Sequence, residues 1–130
     1  MIESSNSDNQ LSGEQLREKM FGTKQASQQF SEEDSVYEKI QSTLTNYCFG
    51  DIWNRPGLSY RDRSLITVAM LAVLNSKTEL QLHVKGALAN GVSPEEIRET
   101  LFHLHMYAGF PVALEGLRNA KYIIQEFEAS

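Results

Sequence analysis

A single cysteine, no surplus of basic charge and no long apolar run set the first limits on this 130-residue chain. Cys48 has no second cysteine to pair with, which excludes an internal disulfide framework and fits a reducing compartment such as the cytoplasm. The formal net charge of −5 argues against nucleic acid as a partner, and no basic stripe reverses that reading. No apolar stretch approaches the roughly 20 residues of a membrane span, so no membrane role is expected. The amino terminus, MIESSNSDNQ, lacks the apolar core of a signal peptide. Its Ser, Asn and Asp content predicts a disordered tail over residues 1–11. No segment alternates apolar and polar residues in the manner of a half-buried strand.

What the chain does hold is helical punctuation. Ser12 followed by Gln15 opens a short helix that Gly22 ends. Val36, Tyr37, Ile40, Leu44, Tyr47 and Cys48 keep helical spacing over residues 33–49, and Gly50 closes that segment. The compact turn FGDIWNRPGL follows. Ser59 with Asp62 starts the next helix, in which Leu65, Ile66, Val68, Ala69, Leu71, Ala72 and Leu74 leave almost no polar face; it is expected to lie in the core. Residues 75–78 interrupt it, and a further helix ends near Gly91. Ser93-Pro94-Glu95-Glu96 is a strong start for a helix running through Tyr107 to Gly109, and Phe110-Pro111 begins the last one. The fold class predicted is all-α, a single-domain bundle of about six helices over residues 12–130 with mostly antiparallel neighbours.

The helix before Gly91 carries the chemistry. Ser76, Glu79 and His83 fall on one narrow stripe beside Leu80, Leu82 and Val84. Glu79 lies one turn from His83, so its carboxylate can hold the imidazole and favour the charged form. Such a half-buried pair is a proton-transfer device at neutral pH; a surface ion pair is the plainer alternative. His103 and His105 are two apart and point about 200° from each other on a helix, so they cannot chelate one metal together. No metal is expected.

Three segments in order, FGDIWNRPGLSYRDRSLITVAML, ELQLHVKGALANGVSPEEI and YAGFPVALEGL, resemble the carboxymuconolactone decarboxylase family, whose fold is alkyl hydroperoxidase D-like. The likeness runs from about Leu16 to Phe127 and includes the REKMFG helix. Redox-type members of that family carry CxxC followed by a histidine after three intervening residues. Counting back from His83, Ser76 and Glu79 occupy the cysteine positions, and Ser64 stands where that branch places a glutamate. Thiol peroxidase chemistry is therefore disfavoured.

The resemblance implies a decarboxylase of a small carboxylated lactone, without cofactor, in a homo-oligomer of three or six subunits. It makes His83 the proton donor or oxyanion partner, with Glu79 orienting it. Arg63 and Arg55 are candidates to grip a carboxylate. Trp53 is a candidate pocket wall, Tyr107 a phenol donor to an oxyanion, and His103 shares the surface of Tyr107. A non-catalytic oligomer on the same scaffold, or an isomerase of a related lactone or enol, stays open.

Overall fold

The computed structural model describes residues 11–22 and 35–130. Residues 1–10 of the tail expected over 1–11, and the start of the helix expected from Glu33, lie outside the described residues. All regular elements among the described residues are helical, and none is long and apolar enough to cross a membrane. The fold is all-α, as its punctuation predicts. Two compact units divide the chain, residues 1–60 and 61–130.

In the first unit, α1 (Gly13–Phe21) opens with the predicted capping box. The Gln15 N–H donates to Ser12 Oγ (3.1 Å) and the Ser12 N–H donates to Gln15 Oε1 (2.9 Å), which satisfies two helix-end donors. Gly22 ends the helix with φ of 90°, a conformation that costs glycine little. Leu16, Met20 and Phe21 form its buried face.

Next come α2 (Ser35–Thr43), a π-helical turn (Leu44–Phe49) and a 3₁₀ turn (Ile52–Asn54). The regular helix expected to run to Phe49 is corrected here, because its last stretch widens to π geometry. The widened turn presses on the start of α1. A Cβ placed on Gly13 would lie 1.8 Å from the Thr45 carbonyl oxygen, so only glycine permits this approach. Arg17 Nη1 donates to Thr45 Oγ1 (2.9 Å), joining α1 to the same turn by a second contact. Phe49 packs edge-on to Phe21 and against Trp53, with ring centroids 5.7 and 5.4 Å apart. Asn54 Nδ2 donates to the carbonyls of Leu11 (2.8 Å) and Gly50 (3.1 Å), while the Tyr60 hydroxyl donates to Asn54 Oδ1.

The second unit is built from α3 (Tyr60–Val73, of which Tyr60 closes the first unit), α4 (Lys77–Ala89), α5 (Pro94–His103), the short α6 (His105–Ala108) and α7 (Phe110–Ala129). Asn75, at φ 57°, turns the chain between α3 and α4. Ser93 and Glu96 form the predicted capping box of α5. The helix expected to continue to Gly109 instead breaks at Leu104. Both α4 and α5 pack on α7. Val68 and Ala72 of α3, Leu80, Val84 and Leu88 of α4, Ile97 and Leu101 of α5 and Ala113, Ala120 and Ile124 of α7 share one core. Fully burying a valine, leucine or isoleucine side chain contributes roughly 1.5–3 kcal/mol.

The expectation that α3 lies wholly in the core is corrected. Val68 and Ala72 point inward, but Ile66, Met70 and Val73 are exposed on the opposite side. Their spacing of four and three residues makes a continuous apolar strip. A second exposed apolar run, Phe102, Met106, Tyr107, Phe110 and Leu114, follows the corner from α5 into α7.

Candidate functional site

His83 is carried by the middle of α4 and is 9% exposed. The core face of α4 is set by Leu80, Val84, Ala87 and Leu88, which recur at three- and four-residue spacing. His83 lies on the flank of that face. Its burial pushes the imidazole pKa down to about 4, because the interior penalises the charged ring. At pH 7 the ring is neutral, with one nitrogen a donor and the other an acceptor.

This overturns the expected electrostatics of the pair. Glu79 is exposed, and no hydrogen bond or ion pair joins it to His83 among the described residues. The carboxylate, facing water, does not offset the desolvation of the ring. Glu79 and His83 remain one turn apart on one stripe, without the contact that would hold the ring in its charged form.

Beyond His83 the same flank runs on through Gly86 to Asn90. Asn90 stands seven residues, or nearly two full turns, after His83, so the two side chains leave α4 in almost the same direction. Asn90 Nδ2 donates to Ser64 Oγ (3.0 Å), and Ser64 is completely buried on α3. Ser64, which stands where the redox branch places a glutamate, here accepts from the Asn90 amide. Helical phase from His83 was the signal that could have found Asn90.

Arg63 precedes Ser64 on α3 and is half-buried, and Thr67 Oγ1 donates to its carbonyl (2.7 Å). Arg61 instead reaches Glu96 of α5, and the contact holds that carboxylate below its usual range together with the Ser93 backbone N–H, which is the larger cause. His103 and Tyr107 do share a surface, with ring centroids 5.7 Å apart, but Tyr107 is 83% exposed in this chain. The ring of His105 lies between Phe102 (4.8 Å) and Phe110 (4.9 Å).

Trp53 and Arg55 belong to the first unit, where Trp53 is buried against Phe49 and Arg55 is exposed. Cys48 also lies there. Burial raises its thiol pKa, opposed by the Arg17 charge and a hydrogen bond with Trp53, so the thiolate is disfavoured. Among the described residues no cluster of three or more His, Cys, Asp or Glu side chains could hold a metal ion.

The carboxymuconolactone decarboxylase family pattern matches residues 38–122, which include α3, α4, α5 and most of α7. The chain belongs to the carboxymuconolactone decarboxylase family. A 4-carboxymuconolactone decarboxylase of Acinetobacter baylyi is 28% identical over 114 residues, 88% of this chain and 85% of its own length. A nitrosuccinic acid decarboxylase of Metarhizium robertsii is 39% identical over 77 residues, 59% of this chain and 54% of its own. An uncharacterised 15.0 kDa protein of Paracoccus denitrificans is 34% identical over 95 residues, covering 72% of this chain and 71% of its own. Decarboxylase is thus the activity named for two relatives of this family member. His83, Ser64 and Asn90 all lie within the matched region.

Proposed function

We propose that this protein is a decarboxylase of small carboxylated acids that carry their own electron sink, with neutral His83 as the group that meets the developing oxyanion. In 4-carboxymuconolactone, the electron pair released with CO₂ passes through the ring double bond to the lactone carbonyl. A dienolate results, and protonation at carbon gives the enol-lactone. In nitrosuccinic acid the pair freed with CO₂ is taken by the nitro group as a nitronate, and a proton again returns to carbon. Because the sink lies in the substrate, the protein's tasks are to hold carboxylates, stabilise an oxyanion and deliver one proton.

The observation that carries this reading is the buried, neutral imidazole on α4. A neutral N–H donor spends no free energy on keeping a charge in the interior before substrate arrives. It offers a hydrogen bond that strengthens as negative charge develops on the substrate oxygen. Arg63 supplies a guanidinium on the neighbouring helix as the carboxylate grip. Glu79, in water and off the ring, plays at most a long-range part. The exposed strip on α3 and the run from Phe102 to Leu114 support assembly with further copies of the chain.

The test is ultraviolet-monitored CO₂ loss from 4-carboxymuconolactone and from nitrosuccinic acid. Turnover of at least one acid by the wild type, retained in Cys48→Ala, is expected. A correctly folded, assembled protein that turns over neither acid contradicts the reading.

A further inference from the structure

We infer that Asn90, anchored on Ser64, binds the carboxylate that the substrate keeps. This inference rests on the decarboxylase reading and deepens it by naming the residue that holds the retained carboxylate.

One end of the Asn90 amide is satisfied by Ser64 Oγ, while its Oδ1 is buried and has no hydrogen-bond partner among the described residues. A buried amide oxygen without a partner is unfavourable, so the site is arranged to receive something. The partner's chemistry follows from Ser64, whose hydroxyl both donates and accepts. In the structure it accepts from Asn90 Nδ2. If the amide turns over, the Ser64 hydroxyl donates to Oδ1 and the Nδ2 N–H group takes the buried place that Oδ1 now holds. The pair then presents a neutral donor, which suits a carboxylate oxygen and leaves no buried polar atom unmatched.

Position completes the argument. His83 and Asn90 leave the same flank of α4 about 10 Å apart along the helix axis, and the turn between them is Gly86, which is buried and places no side chain there. Hydrogen bonds of about 3 Å at either end would leave a span of about 4–5 Å, which suits a small diacid. Both acids considered above carry two carboxyl groups, of which one leaves as CO₂ and one stays. The electron sink would sit toward His83 and the retained carboxylate at Asn90.

Steady-state kinetics of the wild type, Asn90→Ala, Asn90→Asp and Ser64→Ala test this on whichever acid the protein turns over, with succinate and propanoate as calorimetric binding probes. Asn90→Ala should raise KM about tenfold or more while kcat stays within about threefold, and succinate should bind the wild type more tightly than propanoate. Asn90→Asp, nearly the same shape, should weaken succinate further by like-charge repulsion and leave propanoate unaffected. Circular dichroism checks that each variant remains helical. Unchanged KM in helical Asn90→Ala and Asn90→Asp overturns the inference while leaving the decarboxylase reading intact. If the wild type decarboxylates neither acid, the decarboxylase reading fails, and succinate binding then decides the site separately. Loss of succinate binding in Asn90→Asp supports a dicarboxylate site, and equal binding of succinate and propanoate to the wild type refutes it.

Discussion

Acidification from pH 7 to pH 4 is expected to destabilise this protein through His83 specifically. The folded-state pKa of the ring is about 4, against an ordinary value of 6.5. The unfolded chain therefore takes up a proton that the native state refuses, and stability falls as pH drops below 6.5. Integrating that difference gives a loss of about 2 kcal/mol by pH 5 and about 3 kcal/mol below pH 4, where both states are protonated. The carboxyl of Glu96, held low by the Ser93 N–H and Arg61, also loses its contribution on acidification, but that loss is common to wild type and to variants at position 83. Urea unfolding of the wild type and His83→Gln at pH 7, 6, 5 and 4.5, followed by circular dichroism, isolates the histidine by subtraction. The difference between the two proteins should shift by about 2 kcal/mol between pH 7 and pH 5, in favour of the variant. A difference that stays constant across that range would refute the reasoning, because it would mean the ring titrates alike in both states.

Three further outcomes follow from the geometry. Gly13→Ala forces a methyl group into the Thr45 carbonyl and should cost about 1–3 kcal/mol in urea unfolding, against a negligible change for Gly57→Ala, where the space is open. Glu79→Gln should shift the acid limb of the kcat/KM profile by less than about 0.3 units, since the carboxylate does not touch the ring; a shift of one unit would restore the pairing. Met70→Glu places a charge in the exposed apolar strip of α3 and should lower the assembled fraction in sedimentation velocity without loss of helicity. An unchanged sedimentation profile would remove that strip from any interface.

Two helix starts were legible because their rule is local. Ser12 with Gln15 and Ser93 with Glu96 stand three residues apart, and both capping boxes form as their spacing dictates. The widened turn at residues 44–49 was not legible, because its contact with Gly13 joins positions 32 residues apart in the chain. For α3, composition indicated burial on all sides, yet apolar side chains at Ile66, Met70 and Val73 face outward. Residue type alone does not say which apolar side chains of a helix turn inward and which stay exposed.

At the candidate site, periodicity put Glu79 and His83 on one stripe but could not report their environments. One side chain lies in water and the other in the interior, and desolvation sets the ring's charge more strongly than a solvated carboxylate one turn away. The hydrogen bond from Asn90 to Ser64 spans 26 residues between two helices, and only their packing brings it into view. Trp53, a candidate pocket wall by residue type, is buried against Phe49 in this chain.

The most direct test of His83 as the reacting group is kcat/KM for the decarboxylated acid in His83→Gln beside the wild type, at pH 7 and with matched helicity. A fall of at least about tenfold is expected, since a glutamine amide does not place its N–H where the imidazole N–H meets the developing oxyanion. A rate equal to that of the wild type would contradict the account.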